Sequence, residues 1–358
     1  MAKPPSGVRR QQKSGETATM IDVAQMANVS TATVSHVINN SRYVSEETRQ
    51  KVHAAIAALN YRGNGLARML RSNQTQSIGL LISDIANPFF PDVVRGVEDV
   101  ASAHGYSVIL CNTDENADKE RHYLDVLLDK RVDGFVVTPS GGNQEYFQEL
   151  LTAGVPISFV DRWLPSIEVD TAMVNNVEEA HRAVTHLIDH GHRRIAVMVA
   201  SLQSSAIMER VEGYHRALDD AGIPVQPAYV AESRSNIEAA RTQAAVLLTQ
   251  RPRPTAIFGT NNLVTIGCMH ALVEQGLRCP EDVAVVGFDD FAWAGAFHPA
   301  LTTVAQPSYA LGQRATELLM QRLTHTPDTA VPVRKEVLRA TLMIRESCGS
   351  ELGIRAFA

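Results

Sequence analysis

The side chains best suited to chemistry stand in two places along the chain. Between residues 87 and 306, amides, carboxylates and guanidinium groups recur just beyond short apolar runs. Asn87-Pro88-Phe89-Phe90 follows 78–82, Asp161-Arg162 follows 157–160, Arg210 lies beyond 195–199, Asn261 beyond 256–258 and Asp289 beyond 283–286, with Gln306 on a late connection. These groups supply the multidentate hydrogen bonds that adjacent hydroxyls need, and the Phe rings offer apolar faces to sugar C–H groups. The second place is residues 30–39. There Thr31, Ala32, Thr33, Ser35, His36 and Asn39 are spaced to leave the free face of a short helix whose other side carries Val34, Val37 and Ile38. Small polar groups on such a face, with the capping Ser30, can reach phosphates and base edges.

Turnover chemistry has no comparable constellation. No G-x-G-x-x-G, P-loop or G-x-S-x-G occurs, so hydride, phosphoryl and acyl transfer lack their usual signatures; no enzyme and no cofactor are expected. His186 and His190 stand four apart and could share a metal, but no suitably spaced carboxylate completes the site. With His192 they read as a helix end turning into a strand, its dipole favouring a histidine. No metal site is expected.

The elements that must hold these residues follow from local signals. Thr19 and Asp22 form a capping box ahead of a helix over 21–27; Asn28 tolerates the left-handed turn; Ser30 caps a second helix over 31–39. Ala24 lets the two helices approach, and Val29 plugs the angle between them. A third helix over 46–59, capped by Ser45, brings Val52, Ile56 and Leu59 to a three-helix core. This is helix-turn-helix spacing. From residue 76 the pattern changes to apolar strands (78–82, 108–111, 135–137, 157–160, 195–199, 256–258, 283–286) alternating with amphipathic helices (90–103, 119–130, 177–190, 208–221, 237–250, 263–275, 309–322). That order predicts parallel sheets covered on both faces, divided into two α/β lobes. Solutes in such folds bind beyond the carboxyl ends of the strands, where the polar residues above lie.

The charge balance supports two kinds of surface. The chain of 358 residues is −6 overall. Residues 1–72 carry ten basic and four acidic side chains, a net of +6, leaving 23 basic against 35 acidic and a net of −12 for the rest. A basic module on an acidic body suits contact with a polyanion through one end only. Hydrophobic residues at 45% suffice for real cores, and 20% charged residues do not suggest a disordered chain. The four cysteines (Cys111, Cys268, Cys279, Cys348) are scattered, indicating neither a disulfide framework nor a thiolate zinc site. Residues 1–18 lack an apolar core of the signal-peptide kind and no long apolar run follows, so a soluble cytoplasmic protein with no membrane contact is expected.

The motifs also carry a family resemblance. Asp22-Val23-Ala24, Asn28-Val29-Ser30-Thr31-Ala32-Thr33-Val34-Ser35-His36-Val37-Ile38-Asn39, Val44-Ser45-Glu46-Glu47-Thr48-Arg49, Leu59-Asn60-Tyr61 and Ala67-Arg68-x-Leu70 resemble the headpiece of the lactose-repressor (LacI/GalR) family. The headpiece is closest to the purine- and ribose-repressor members, and the likeness runs to about residue 345. It implies an N-terminal all-α helix-turn-helix headpiece plus an α/β periplasmic-binding-protein-like (type I) two-lobed effector domain. The divisions are a flexible basic tail (1–18), the DNA-binding domain (19–63), a hinge helix and linker (64–75), the effector-binding and dimerisation domain (76–345) and a C-terminal tail (346–358). The function implied is a sequence-specific transcription regulator, a repressor, acting as a homodimer on a palindromic double-stranded operator in the bacterial cytoplasm, at the nucleoid. A small carbohydrate-like effector switches its operator affinity.

Position by position, the resemblance assigns Thr31, Ala32 and His36 to base edges, Ser30, Thr33, Ser35 and Asn39 to phosphates, and Asn64, Ala67 and Leu70 to a minor-groove hinge in which Leu70 wedges between base pairs. Asn87, Phe89, Phe90, Asp161, Arg162, Arg210, Asn261, Asp289 and Gln306 match the effector-binding positions of sugar-responsive members. Gly63, where proline is usual, and Gly65 depart from the hinge pattern, and glycine inside a helix costs about 1 kcal/mol. The purine repressor lacks the Asn87 amide, has Trp at the position of Arg162 and Arg at that of Ser204, which favours a sugar here. A purine-responsive repressor of the same family, or a cytoplasmic solute-binding or sugar-handling protein, are the alternatives.

Overall fold

The capping signals at Thr19, Ser30 and Ser45 become three helices: α1 (Met20–Ala27), α2 (Thr31–Asn39) and α3 (Glu46–Ala58). The computed structural model describes residues 18–39, 42–61, 74–324 and 332–349; the chain divides into two units, Met1–Asn73 and Gln74–Ala358. In the first, Asp22 Oδ2 accepts from the Thr19 amide at 2.7 Å and the Thr19 hydroxyl accepts from the Asp22 amide at 3.4 Å, closing the capping box. Asn28 takes the left-handed conformation (φ 51°) that turns the chain between α1 and α2. Ser30 Oγ accepts from the Thr33 amide at 3.1 Å and so caps α2.

Val23, Ala24, Ala27, Val34, Val37, Val52, Ala55 and Tyr61 form the buried core of this unit, with Val29, Ile38, Ile56 and Leu59 packed against it. One expectation fails. Ser35 is not on the free face; it is buried, with 9% of its surface exposed. At 3.6 residues per turn it lies about 60° around the helix from Ile38, on the flank of the apolar stripe, where a side chain this small is overhung by its neighbours.

In the second unit the strands are β1 (Ser77–Ile82), β2 (Ser107–Asn112), β3 (Gly134–Val137), β4 (Ile157–Val160), β5 (Asp170–Val174), β6 (Ile195–Val199), β7 (Val230–Glu232), β8 (Ala256–Gly259), β9 (Ala284–Phe288), β10 (Thr302–Ala305), β11 (Lys335–Leu338) and β12 (Thr341–Met343). Among the described residues they make two six-stranded sheets, ordered β11-β5-β4-β3-β1-β2 and β12-β10-β9-β8-β6-β7. The two orders are the same pattern, so each strand of one lobe has a counterpart in the other. Every pairing is parallel except β10 with β12. β3, β4, β6, β8 and β9 are buried along their whole length, as expected of strands covered on both faces.

The covering helices are α4 (Phe90–Ala103), α5 (Ala117–Asp129), α6 (Gln144–Thr152), α7 (Asn176–Asp189), α8 (Ser205–Asp220), α9 (Ile237–Leu247), α10 (Asn262–Glu274) and α11 (Ser308–Thr324). α4 and α11 cross closely because each has a glycine at the contact: a Cβ at Gly96 would lie 2.1 Å from the Tyr309 carbonyl oxygen, and one at Gly312 would lie 2.1 Å from that of Val93. The chain passes between lobes three times, from β5 to α7, from β10 to α11, and from β11 to β12. Residues 346–349, expected in a tail, instead pack on the second lobe, the Ser347 hydroxyl donating to the Val285 carbonyl at 2.7 Å. The expected hinge residues Asn64, Ala67 and Leu70, the tail 1–17 and residues 350–358 lie outside the described residues.

Candidate functional site

All nine polar and aromatic residues singled out beyond the strand ends line one narrow cleft between the lobes of the second unit, closed down to a cavity of about 20 Å³. The equivalence of the lobes explains part of the convergence. Asp161 follows β4 and Asp289 follows β9, counterpart strands, and both residues take a left-handed backbone (φ 70° and 69°). Aspartate tolerates that conformation better than most residues, and it turns both carboxylates into the cleft. Asn87 lies between β1 and α4, Phe89 and Phe90 stand at the start of α4, Arg210 is on α8, Asn261 caps α10, and Gln306 lies on the β10–α11 crossing.

Most hydrogen bonds here fix the walls. Asn87 Oδ1 accepts from the Phe89 amide at 2.9 Å and, across the lobes, from Asn262 Nδ2 at 2.8 Å. Asn261 Oδ1 accepts from the Val264 amide at 2.8 Å, while its Nδ2 donates to Ser235 Oγ at 2.9 Å. Arg210 stacks on the Phe288 ring, 3.8 Å from its centroid, and donates to Asn176 Oδ1 (2.9 Å), the Thr260 carbonyl (2.9 Å) and Asp289 Oδ2 (3.3 Å). Gln306 Nε2 donates to the other Asp289 oxygen at 2.6 Å. Near the cleft the lobes meet closely, since a Cβ at Gly141 (φ 97°) would lie 2.3 Å from the Gln203 carbonyl oxygen.

Four lining atoms are buried without a hydrogen bond: Asp161 Oδ1, Arg162 Nε, Ser204 Oγ and Gln306 Oε1. An unmade bond at a buried polar group costs about 1–3 kcal/mol, so donors and acceptors converging on one space mark a place for a polar guest. Burial raises the Asp161 carboxyl to about 6; Arg162 and Arg210 oppose that, and Asp289 and Glu115 add to it.

Sequence reasoning missed Glu115, Ser201 and Ser235, which also line the cleft, as does Ser204. Glu115 grips Arg162 in a two-pronged pair at 2.7 Å on each arm. Burial works against the Glu115 charge, but the Arg162 guanidinium outweighs it and lowers the carboxyl below its ordinary range. The clue was available: Glu115 stands three residues beyond β2, as the other cleft residues stand beyond their strands.

In the first unit, Thr31 and Ala32 are exposed and Thr33 and His36 half-buried, at the start and middle of α2. The side chain of Asn39 lies outside the described residues. The Ser30 and Thr33 hydroxyls lie 2.9 Å apart beside the amides of the α2 N-terminus, an arrangement that suits a phosphate. Of the histidines, His190 Nδ1 is 2.7 Å from the His186 carbonyl and His186 Nε2 is 3.2 Å from Cys348 Sγ. Among the described residues no group of three or more His, Cys, Asp or Glu side chains is placed to hold a metal, and no helix is long and apolar enough to cross a membrane.

Residues 75–341 match the family of periplasmic binding proteins and sugar binding domain of LacI family, and residues 19–64 match the bacterial regulatory proteins of the lacI family. The chain is 37% identical over 331 residues to the ribose operon repressor of Haemophilus influenzae, covering 92% of this chain and 98% of that protein. It is 40% identical over 308 residues to the HTH-type transcriptional repressor PurR of Vibrio atlanticus, covering 86% and 92%. Among solved structures it matches the lac repressor dimer bound to operator and the anti-inducer ONPF with a TM-score of 0.83 and 29% identity, over 93% of this chain and 99% of that one.

Proposed function

This chain belongs to the LacI family of bacterial regulatory proteins, and we propose that it is a repressor whose affinity for a palindromic operator is switched by a small polyhydroxylated effector held between its two lobes. Residues 19–63 read DNA as part of a homodimer, and residues 76–345 bind the effector and the second copy. Thr31, Ala32 and His36 face base edges; a single ring nitrogen of His36 donates one bond to guanine rather than a bidentate pair. Ser30, Thr33 and Asn39 meet phosphates; Ser35, being buried, is left out. Asn64, Ala67 and Leu70 enter the minor groove.

The observation that carries the effector reading is the set of four buried polar atoms without a hydrogen bond around one cleft. They outnumber the aromatic faces of Phe89 and Phe90, which suits a ring of hydroxyls better than a flat base. A guest that fills them joins groups from both lobes, Asp161 and Arg162 on one side and Ser204 on the other, and so favours one lobe arrangement over another by its differential affinity. A thermal-shift screen of the full chain against sugars and purines tests the effector reading, since a ligand of the native state raises its stability. Stabilisation by a sugar is expected; stabilisation by a purine alone would overturn it. Retention on operator DNA should weaken steeply with salt as counterions are released, and salt-insensitive retention would overturn the DNA-binding role.

A further inference from the structure

We propose that Glu115 determines specificity in the cleft: by occupying Arg162 it excludes phosphorylated and carboxylated sugars and confines the effector to neutral polyols. The inference rests on the effector reading above and names the ligand class more narrowly.

A buried arginine at a ligand cleft is ordinarily the natural receptor for an anion, because its planar fork matches a phosphate or carboxylate in two parallel bonds. Arg162 is buried and lines the cleft, so on its own it would select an acidic sugar. Its fork is already filled. Nη1 donates to Glu115 Oε2 at 2.7 Å and to the Pro139 carbonyl at 3.4 Å; Nη2 donates to Glu115 Oε1 at 2.7 Å and to Ser83 Oγ at 3.4 Å. Only Nε is left without a hydrogen bond, and it lies 3.4 Å from the Asp161 carboxylate. A single N–H beside a negative charge can meet a hydroxyl but cannot hold an anion.

The other cation is no freer. Arg210 is committed through Nε and Nη1, and its Nη2 lies 4.0 Å from Asp161 Oδ1. The charged lining therefore comprises Glu115, Asp161 and Asp289 against Arg162 and Arg210, a net of −1 with all ionised. Without Glu115 the balance is neutral, and an arginine fork faces the guest.

The test pairs each neutral sugar with an acidic derivative of the same ring: ribose with ribose 5-phosphate, glucose with glucose 6-phosphate and with gluconate. Thermal shift and calorimetry on the full-length wild-type protein and on Glu115→Gln and Glu115→Ala give the affinity ratio within each pair. The wild type is expected to bind at least one neutral sugar and to reject its acidic partner, and both variants should move that ratio about tenfold or more toward the anion. A wild-type preference for the acidic member overturns the proposal without needing any variant to fold. So does an unchanged ratio in folded variants. Binding of no sugar of either kind overturns the effector reading itself, and the proposal with it; a preference for anions leaves that reading intact.

Discussion

In the helix-turn-helix unit the polar side chains lie around a core of small aliphatic residues, and those that cap helices have partners within it. In the two-lobed unit the polar groups of the cleft point inward, and several of their atoms go without a hydrogen bond. The hydroxyls of Thr19, Ser30 and Ser45 each accept a backbone amide two or three residues into a helix, whereas Asp161 Oδ1, Ser204 Oγ and Gln306 Oε1 accept nothing. Cores differ in the opposite sense. Apart from Tyr61, no buried side chain among the described residues of the small unit is larger than valine, while Phe90, Phe135, Phe147, Phe159, Phe258 and Phe288 are all fully buried in the lobes. One unit should therefore be sensitive to its core and tolerant of losing a single polar group. The other should tolerate small core changes and be sensitive to single polar groups.

The largest effect expected is at the cleft. Replacing Arg210 and Asp289 together by alanine removes a cation and its counter-charge, so neither is stranded, and should weaken effector binding more than about a hundredfold by calorimetry. Operator binding without effector should persist; normal induction in the double variant would remove these residues from the site. Next is Val52→Ala, which deletes fully buried methyl groups from the small core at about 2 kcal/mol. Operator binding should fail at a lower temperature while the calorimetric transition of the lobes stays put, and a joint shift would show that the two units do not melt independently.

A pH titration probes the inward polar groups more gently. The Asp161 carboxyl, raised to about 6 from 3.8 by burial, favours the ligand-free fold at low pH, and that advantage is lost as pH rises through 6. A hydroxyl donating to Asp161 relieves the burial cost of the ionised form, so affinity should climb between about pH 4 and 6 and level off above. Lowering the pH from about 7.5 to 5 should weaken binding roughly five- to tenfold; a flat profile would remove Asp161 as an acceptor. The smallest effect falls on the exposed face. His36→Ala should cost about 1 kcal/mol and relax base preference at one position per half-site, as measured by binding to substituted operators.

The same contrast explains what the sequence showed and what it hid. Local signals describe the three-helix unit almost completely, because caps and apolar spacing are properties of neighbours along the chain; α2 has the expected bounds, Thr31–Asn39. In the lobes β1, β2, β3, β4, β6, β8 and β9 announce themselves as apolar runs. β5, β7, β10, β11 and β12 do not: they are short, or carry residues such as Asp170, Glu232, Thr302 and Lys335 that only sheet pairing makes extended. The cleft residues were legible because strand ends in parallel sheets converge. Glu115 was passed over because its partner is 47 residues away and its carboxylate counts for nothing until Arg162 is placed beside it.

The three passages between lobes also set an order of assembly. β11 is the sixth strand of the first lobe, and α11 packs against α4, β3, β4 and β5 of that lobe, yet both are encoded after nearly all of the second lobe. On a ribosome the first lobe must wait, with β5 as an open edge and the side chains that α11 buries still uncovered, until residue 338 has emerged. The second lobe waits less, since only β12 and residues 346–349 remain to be added. A chain truncated before residue 308 should thus be a substrate for chaperones and proteases through its N-terminal half, the half made first.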